Sequence, residues 1–431
     1  MKGLFGKEFK KVVTGLPYLI FVVALLTFFF TQFSTDFKRL EKPQPGQADY
    51  GTKYEEIPEI LMPRAFDALL SEFSSNSYIA YPIGFYKNVR LNDTRQLKMA
   101  EIIAELSGDH LEQIAKLTDV KEENIQEYLK SLNPDDSLDT VQGKGNSILS
   151  LSDVKLDKSI EYDRFKELMD SADRCIGGGS SYSDLYLYRF GAVPKTYQDA
   201  LDDYTAMAEK DKMTGAYARL FCDYMGIVLG LFPVFVAVAM GLKDKSARVN
   251  ELMYTRKASS FSIVITRYLA MVVSMMIPVI LAAVYGTFLV VRLYPGMSLD
   301  YLAFVKYSLF WLMPTLMTSA AVGTFVTELT STPLAIIVQG IWWYLGMFSG
   351  LRHMDGGYGW DLMLRHNTIG NTQVYLSNIQ VLMTNRVFYV ALSIFLVVST
   401  CLIYELKRKG RLNPFDKVNK MLRNSRGGAA V

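Results

Sequence analysis

The chain has 431 residues, half of them apolar, and a formal net charge of only +3. That balance hides a separation of charge, because residues 34–218 carry 22 Lys and Arg against 33 Asp and Glu, whereas long apolar runs elsewhere hold almost no charge. Nucleic-acid binding requires basic residues gathered on one folded face. The sequence contains no such cluster, so no nucleic-acid partner is expected, and the segregated charge indicates a membrane protein.

The cysteines and the three histidines form no common metal or redox motif. No two of Cys175, Cys222 and Cys401 are spaced as a CxxC pair. Neither a metal site nor a cofactor is therefore expected in this chain. Cys401 lies in an apolar run and is expected to pack as a small hydrophobic side chain. Cys175 and Cys222 fall on the same side of the membrane in the topology below, so the sequence leaves open a disulfide between them if that compartment is oxidising.

The first apolar run covers residues 16–33 and follows a basic amphipathic stretch, residues 1–15. A bilayer core of about 30 Å needs roughly 20 apolar residues in a helix. A charged start and an apolar middle also fit a secretory signal peptide, but this run is long and aromatic and no small-x-small cleavage site follows it. We therefore expect an uncleaved transmembrane helix at residues 16–33.

Five further apolar runs complete a prediction of six transmembrane helices. They cover approximately residues 219–241, 263–291, 305–328, 332–350 and 386–404. Pro233, Pro278 and Pro314 lie inside three of them, which is acceptable because neighbouring helices can satisfy the freed backbone groups. The expected fold is an α-helical integral membrane protein with a five-helix bundle over residues 219–404.

The orientation follows from the short basic segments, since Lys and Arg favour the cytoplasmic side. The N-terminus, the loop 243–262 and the tail 405–431 are all basic, and six spans place all three on one side. Both termini are therefore expected in the cytoplasm, with residues 34–218 and the loop 351–385 outside.

The outer domain 34–218 is predicted to be a mainly helical α or α/β fold. Helical periodicity predicts helices over residues 94–107, 110–117, 122–132, 163–176 and 196–210, and residues 43–52 and 133–150 have loop composition. Gly177–Gly179 precede Ser180 without the lysine of a phosphate-binding loop. They are therefore predicted to end a helix.

Two charged residues lie early in predicted spans, Asp223 in the second and Arg267 in the third. Both lie within a turn or two of a membrane face, where snorkelling is expected to satisfy them. We identify no ionisable residue deeper in the spans, whereas ion-coupled carriers usually need such groups near the midplane. The energy source is thus expected outside this chain. Because no nucleotide-binding or hydrolase motif is present, the chain is not expected to be an enzyme.

The loop 243–262 mixes charged residues with apolar ones at helical spacing, among them Val249, Leu252, Met253 and Tyr254. A short amphipathic helix of this kind lies in the membrane interface or docks into a groove on a partner. A solvated basic loop explains the same composition, so the residues alone leave the choice open.

This layout resembles the permease subunits of the type-2 ABC exporter family, most closely the branch with sodium- and peptide-exporter permeases. The segment Asn250–Lys257, NELMYTRK, is similar to the family's loop, in which a Glu-Leu-Leu-like core precedes the Arg or Lys that opens the third span. The turn 323–333 resembles the family's second cytoplasmic contact, and residues 1–15 resemble its elbow helix. Ala258 departs from the pattern, because many members have proline there.

The resemblance implies an export role for this chain together with a separate ATPase subunit, which would bind ATP and Mg²⁺. A second permease chain, identical or homologous, would complete the pathway in a bacterial plasma membrane. The implied ATPase-coupling helix consists of Glu251, Leu252, Met253, Tyr254, Arg256 and Lys257. Glu328 and Thr330 would form the second contact. The substrate class (peptide, lipid, drug or ion) is not implied.

A membrane receptor or sensor, whose outer domain binds a ligand or a partner protein, is the alternative of a different class. It would require a cytoplasmic signalling domain, and only the short tail 405–431 follows the last span. A stand-alone carrier is a third possibility. Close packing between membrane helices through small side chains is expected at Gly226, Gly230, Ser319, Ala320 and Gly323.

Overall fold

Two units make up the computed structural model, which describes residues 2–82, 85–132, 150–246, 259–352 and 357–411. The hydrophilic unit is Pro43–Ala200, and the helical unit consists of Met1–Lys42 and Leu201–Val431. The hydrophilic unit is therefore shorter than the predicted outer domain 34–218. The flanking segments belong to the helical unit, where the Tyr217 hydroxyl donates to the Lys38 carbonyl at 2.6 Å.

The helical unit begins with α1 (Lys2–Val13), which a break at Gly15 separates from α2 (Leu16–Phe33). Pro17 lies in the first turn of α2, where its missing N–H costs no hydrogen bond. The last turn of α2, Phe29–Phe33, is a π-helical turn. α2 corresponds to the predicted first span.

The hydrophilic unit is mainly helical and has two small antiparallel sheets. Strand β1 (Thr52–Tyr54) pairs with β4 (Ala192–Pro194), and β2 (Tyr78–Ala80) pairs with β3 (Lys87–Val89). Its helices are α3 (Pro58–Ser74), α4 (Asp93–Ser107), α5 (Leu111–Ala115), α6 (Glu122–Leu132), α7 (Tyr162–Ile176), α8 (Asp184–Leu187) and α9 (Tyr197–Glu209), which ends in the helical unit. Helix α3, which has Pro63 inside it, was not predicted from the sequence.

The triple glycine ends α7 as predicted. Gly177, Gly178 and Gly179 have φ values of +116°, +88° and +76°, which favour glycine strongly. The amides of Gly177 and Gly178 both donate to the Asp173 carbonyl, at 3.0 and 2.9 Å, and so satisfy the last turn of the helix. A Cβ on Gly179 would lie 2.9 Å from the Cα of Pro82. The segment therefore ends the helix, and Gly179 also allows the backbone to pass close to that of Pro82.

The remaining helices all belong to the helical unit. They are α10 (Thr214–Ser246), α11 (Ser260–Leu293), α12 (Ala303–Thr330), α13 (Leu334–Arg352), α14 (Thr372–Ser377) and α15 (Ile379–Arg408). Five helices, α2, α10, α11, α12 and α15, are long and apolar enough to cross a membrane, as expected for a multi-pass membrane protein. The other predicted span corresponds to α13, whose apolar part, Leu334–Ser349, is shorter.

Proline in α10 is accommodated as expected for a membrane helix. Pro233 has no N–H, which weakens the hydrogen-bond ladder around it. Two side chains of α13 donate to carbonyls in the preceding turns of α10: Gln339 Nε2 to Gly230 at 2.5 Å, and Trp343 Nε1 to Ile227 at 2.9 Å. Neighbouring side chains therefore supply donors beside the proline.

Helices α10 and α12 lie at the centre of the bundle, and each contacts at least three other spans. They approach closely at Gly323, where an added Cβ would lie 2.7 Å from the Cβ of Ala237 and 3.2 Å from the Cα of Val234. Ser319 and Ala320, on the same helix, are fully buried. The small residues expected at close contacts thus pack within this chain.

Replacing Gly323 with alanine is expected to destabilise the protein by about 1–3 kcal/mol, because the added methyl overpacks the contact between α10 and α12. The second change Ala237→Gly removes the opposing Cβ and is expected to recover part of the loss. Gly340→Ala is the control, since no atom lies within 4 Å of a Cβ there. Thermal unfolding in detergent measures the effect, and equal midpoints for Gly323→Ala and Gly340→Ala would contradict the packing.

The segment 351–385 differs from its prediction as an outer loop. Helix α15 begins at Ile379, so Arg386 lies in its third turn rather than at the start of a span. Residues 357–372 belong to the helical unit, and several of their side chains are buried, among them Leu362, Met363, Leu364 and His366. A hydropathy window misses such a segment because it is too short and too irregular to resemble a span.

The three cysteines are all free thiols. Cys222 is fully buried inside the helical unit, whereas Cys175 belongs to the hydrophilic unit and lies 3.3 Å from the Arg95 carbonyl. The disulfide that the sequence left open between Cys175 and Cys222 is not formed. Cys401 is buried among apolar side chains, as expected.

Candidate functional site

A non-helical segment inserts into the helical unit between α13 and α14. We call residues 357–372 the buried loop. Leu362, Met363 and Leu364 are each no more than 3 % exposed. Met363 packs between α10 and α13, since a Cβ on Gly230, near the middle of α10, would overlap its sulfur, and a Cβ on Gly346 of α13 would lie 3.5 Å from its methyl. Two glycines therefore leave the space that Met363 fills.

Arg386 of α15 binds the buried loop through its main chain. Its guanidinium is almost fully buried and donates to the Leu362 carbonyl at 3.1 Å. It also donates to the Trp311 carbonyl at 2.7 Å and to Thr315 Oγ1 at 2.9 Å on α12, and to Asn385 Oδ1 at 2.5 and 3.0 Å. These partners are all neutral, so the charge is stabilised by the dipoles of the chain.

The neighbours of Arg386 on α15 hold the start of the buried loop. Asn385 Nδ2 donates to the carbonyls of Gly359 at 2.7 Å and Asp361 at 3.1 Å. The Tyr389 hydroxyl donates to the Trp360 carbonyl at 2.5 Å. One helix face thus provides donors to three consecutive loop carbonyls.

A π-helical turn in α12, Ser308–Leu312, faces the same loop directly before Pro314. Trp311 lies in this turn, and its indole N–H donates to the Leu364 carbonyl at 3.3 Å. The Trp311 carbonyl is the group that accepts from Arg386. π-Turns inside α-helices occur frequently at functional sites, and this one presents a donor to the loop and an acceptor to Arg386.

Asp223 of α10 binds the amide groups of the buried loop. Its carboxylate accepts from the N–H of His366 at 2.9 and 3.0 Å and from the N–H of Asn367 at 2.6 Å. Asp223 is 1 % exposed, so the snorkelling expected from the sequence is wrong. The carboxylate turns inwards because the loop presents two amides that need an acceptor.

Arg219 and Asp211 form a buried ion pair beside the loop. Arg219 Nη1 and Nη2 donate to the two carboxylate oxygens of Asp211 at 2.7 and 2.6 Å, and the side chains are 0 % and 5 % exposed. Thr372 Oγ1 donates to Asp211 at 2.6 Å, and the guanidinium lies 4.7 Å from the ring centroid of Tyr375. The pair joins α10 to the end of the buried loop.

Arg219 and Arg386 were missed as buried charges because each was placed at the first residue of a predicted span. The spacing of Arg219 and Asp223 was the available signal. Residues four apart lie on one face of a helix, and charged residues in an apolar run normally face a protein interior. The structure therefore corrects the expectation that no ionisable residue lies inside the bundle.

His366 forms two hydrogen bonds that suit a neutral imidazole. Its Nε2 lies 2.7 Å from the Gly370 carbonyl, which only accepts, so Nε2 carries the proton. Its Nδ1 then accepts from the Tyr358 hydroxyl. Burial, and next the positive charge of Arg219, lower the pKa of His366 to about 4. Burial also raises the pKa of the Tyr358 hydroxyl, so that hydroxyl stays a donor.

The contribution of His366 to the stability of the protein is expected to fall as the pH drops from about 6.5 to about 4. An unfolded histidine takes up a proton near pH 6.5, whereas folded His366 stays neutral until about pH 4. Burial of neutral His366 therefore makes no unfavourable contribution above pH 6.5. Below that pH it lowers the free energy of unfolding, by about 3 kcal/mol once the pH reaches about 4. The negative charge of Asp211 raises the pKa of His366, but by less than burial and Arg219 lower it.

The measurement is the unfolding midpoint in detergent against pH for the native chain and for His366→Gln. Gln keeps a donor and an acceptor but has no titrating group in this range, so its curve is expected to be flatter. His110→Gln is the control, because His110 is exposed on the hydrophilic unit. Parallel curves for the native chain and His366→Gln would contradict the assignment.

The opposite part of the bundle has a second set of polar contacts, which we call the basic end. Glu8 of α1 pairs with Arg267 of α11 at 3.4 Å. Ser260, in the first turn of α11, donates to Glu405 of α15, and Lys407 of α15 pairs with Glu328 of α12 at 3.2 Å. These contacts link four helices beside the ends of α10 and α11 that flank residues 247–258.

The coupling residues implied by the resemblance belong to the segment that follows α10 and precedes α11 in the sequence. Glu251, Leu252, Met253, Tyr254, Arg256 and Lys257 fall outside the described residues. Glu328 and Thr330 are described. Glu328 pairs with Lys407, and the Thr330 hydroxyl donates to the Val326 carbonyl at 2.7 Å. Both side chains are engaged within the chain, at the turn where Ser331 ends α12 with a φ of +59°.

Comparisons with known proteins do not assign the chain to a family. No protein-family model matches it, and neither the curated proteins nor the solved structures contain a match.

Proposed function

We propose that this chain is the membrane-spanning permease subunit of an ATP-driven exporter. In this proposal six helices span a bacterial plasma membrane, the hydrophilic unit lies outside, and both termini lie in the cytoplasm. A separate ATPase binds ATP and Mg²⁺ and contacts residues 251–257, and a second permease chain completes the pathway. The resemblance of the layout and of the segment 250–257 supports the assignment.

The ion pairs and the hydrogen bond of the basic end are the observation that best supports the proposal. A movement of residues 247–258 would act on the ends of α10 and α11, and α11 contacts α1 through Arg267 and α15 through Ser260. Helix α15 in turn contacts α12 through Lys407. A force applied to one loop would therefore reach most of the bundle, as a coupling element requires.

The lengths of the flanking helices also support a contact beyond the membrane. Helix α10 has 33 residues and α11 has 34, so each is about 50 Å long at 1.5 Å per residue. A bilayer core is about 30 Å thick. The two helices are thus long enough to hold the segment between them clear of the lipid, where a cytoplasmic partner can bind it.

The buried charges do not by themselves make the chain an ion-coupled carrier. The Asp223 carboxylate accepts loop amides, Arg386 donates to carbonyls, and Arg219 pairs with Asp211. Each charge thus has a structural partner in the fold, whereas a coupling site has to exchange its partner for an ion. ATP hydrolysis by a partner remains the energy source in this proposal.

Co-purification tests the proposal. The tagged chain is expressed in its native host, extracted in mild detergent, and the proteins bound to it are identified. We expect an ATPase with nucleotide-binding motifs, and we expect Glu251→Ala with Arg256→Ala to remove it. Lys306→Ala, which changes an exposed charge paired with Asp300, is the control and should keep the ATPase.

The other outcomes are distinct. An ATPase that stays bound to the double variant would keep the exporter assignment and move the contact away from residues 251–257. A folded chain that brings no ATPase would contradict the exporter assignment, and capture of a sensor kinase instead would favour the receptor alternative.

A further inference from the structure

Helix α1 turns its only acidic residue towards the bundle. Glu8 lies against α11, where its carboxylate is 3.4 Å from Arg267 Nε and both side chains are 11 % exposed. Val12, one turn further on, is 1 % exposed. The only negative charge of α1 therefore lies on the face that contacts α11, where it pairs with Arg267.

The opposite side of α1 carries positive charge alone. Lys7 and Lys10 are exposed, and among the described residues neither forms an ion pair. Glu8 lies next to Lys7 in the sequence, but Arg267 already neutralises it. The exposed lysines therefore have no carboxylate on their own helix to offset them.

The aromatic residues of α1 lie on another flank. Phe5 and Phe9 are half-buried, and their ring centroids are 6.1 Å apart in a stacked pair. At 3.6 residues per turn, these rings and the lysines Lys7 and Lys10 fall on opposite sides of the helix axis. An aromatic flank opposite a lysine flank suits a helix at the boundary between acyl chains and headgroups.

The lysines also lie near the start of the first apolar helix. Lys10 lies in the last turn of α1, and only the break at Gly15 separates that helix from α2, which begins at Leu16. Headgroups around the start of α2 would therefore feel this charge.

We propose that Lys7 and Lys10 form a docking surface for the headgroups of anionic phospholipids. The phosphate would bind the two ammonium groups, and the rings of Phe5 and Phe9 would contact the acyl chains. Because Glu8 joins α1 to α11, a bound lipid would steady the start of α11. The proposal does not depend on the exporter assignment, since it concerns only α1 and the lipid.

The test uses the full chain in neutral detergent with a polarity-sensitive dye on Gly6→Cys, where a Cβ meets no atom within 4 Å. Cys175 is replaced by Ser, and the other two thiols are buried. Phosphatidylglycerol is titrated into the micelles. Each lysine near an anionic surface contributes about fivefold in affinity. Lys7→Gln with Lys10→Gln should therefore raise the phosphatidylglycerol concentration at half-maximal dye response about 30-fold.

Replacement of both lysines by arginine keeps the charge and should keep the response. Lys306→Gln, which changes a lysine outside α1, should also keep it. An unchanged titration for the double Gln variant, with the same unfolding midpoint as the parent, would overturn the proposal. An equal response to phosphatidylcholine or to inorganic phosphate would overturn it as well, because neither is an anionic lipid.

Discussion

Replacing Arg386 with methionine is expected to lower the free energy of unfolding by about 3 kcal/mol. The change leaves the carbonyls of Leu362 and Trp311 and the Asn385 amide oxygen without this donor. An unsatisfied buried polar group costs about 1–3 kcal/mol, and the relief from burying a charge offsets part of the sum. Arg386→Lys should be intermediate, since an ammonium cannot reproduce the planar fork.

Unfolding of the purified chain by a denaturing detergent measures this effect. Arg292→Met is the matched control, because Arg292 is exposed in the last turn of α11, and it should change stability by less than about 0.5 kcal/mol. If Arg386→Met were as stable as Arg292→Met, Arg386 would not hold the buried loop.

Breaking the Arg219–Asp211 pair is expected to have an effect at least as large. Arg219→Met leaves the Asp211 carboxylate buried without its counter-charge, which costs about 3–5 kcal/mol. Asp211→Asn leaves Arg219 as the unpaired charge and should be similarly harmful. The double variant removes both charges, so its loss should be well below the sum of the two single losses.

The exposed pair Lys306–Asp300, with side chains 62 % and 36 % exposed, supplies the comparison. The same cycle there should give a coupling of no more than about 1 kcal/mol, since water screens such a pair. Additive losses at Arg219 and Asp211 would contradict a direct buried interaction between them.

The spans could be predicted because the signal that defines them is local. Runs of about 20 apolar residues located α2, α10, α11, α12 and α15, although α10 begins at Thr214 and α15 at Ile379, ahead of the expected residues. Both extra turns contain polar side chains that a hydropathy window excludes. Thr214 and Asn385 in these turns are buried, because their partners, the Asp300 amide and the Gly359 carbonyl, come from elsewhere in the fold.

The candidate site could not be predicted because its contacts join distant parts of the chain. Asp223 accepts from the amide of His366, 143 residues away, and Arg386 donates to Trp311, 75 residues away. No local pattern encodes such pairs. One clue was present in the segment 362–364, Leu-Met-Leu, since three consecutive apolar residues are unusual for a solvated loop.

One disulfide tests directly whether residues 357–372 lie inside the helical unit, as the candidate site requires. The Cβ of a residue at position 230 would lie 2.9 Å from the Cγ of Met363, the atom that a cysteine Sγ would replace. In a disulfide, a Cβ and the partner Sγ are about 3 Å apart. Gly230→Cys with Met363→Cys, in a chain without its three native cysteines, is expected to cross-link on mild oxidation. Gly340→Cys with Met363→Cys should not. Failure of the first pair to cross-link in a folded protein would contradict the buried loop and the roles assigned to Asp223 and Arg386.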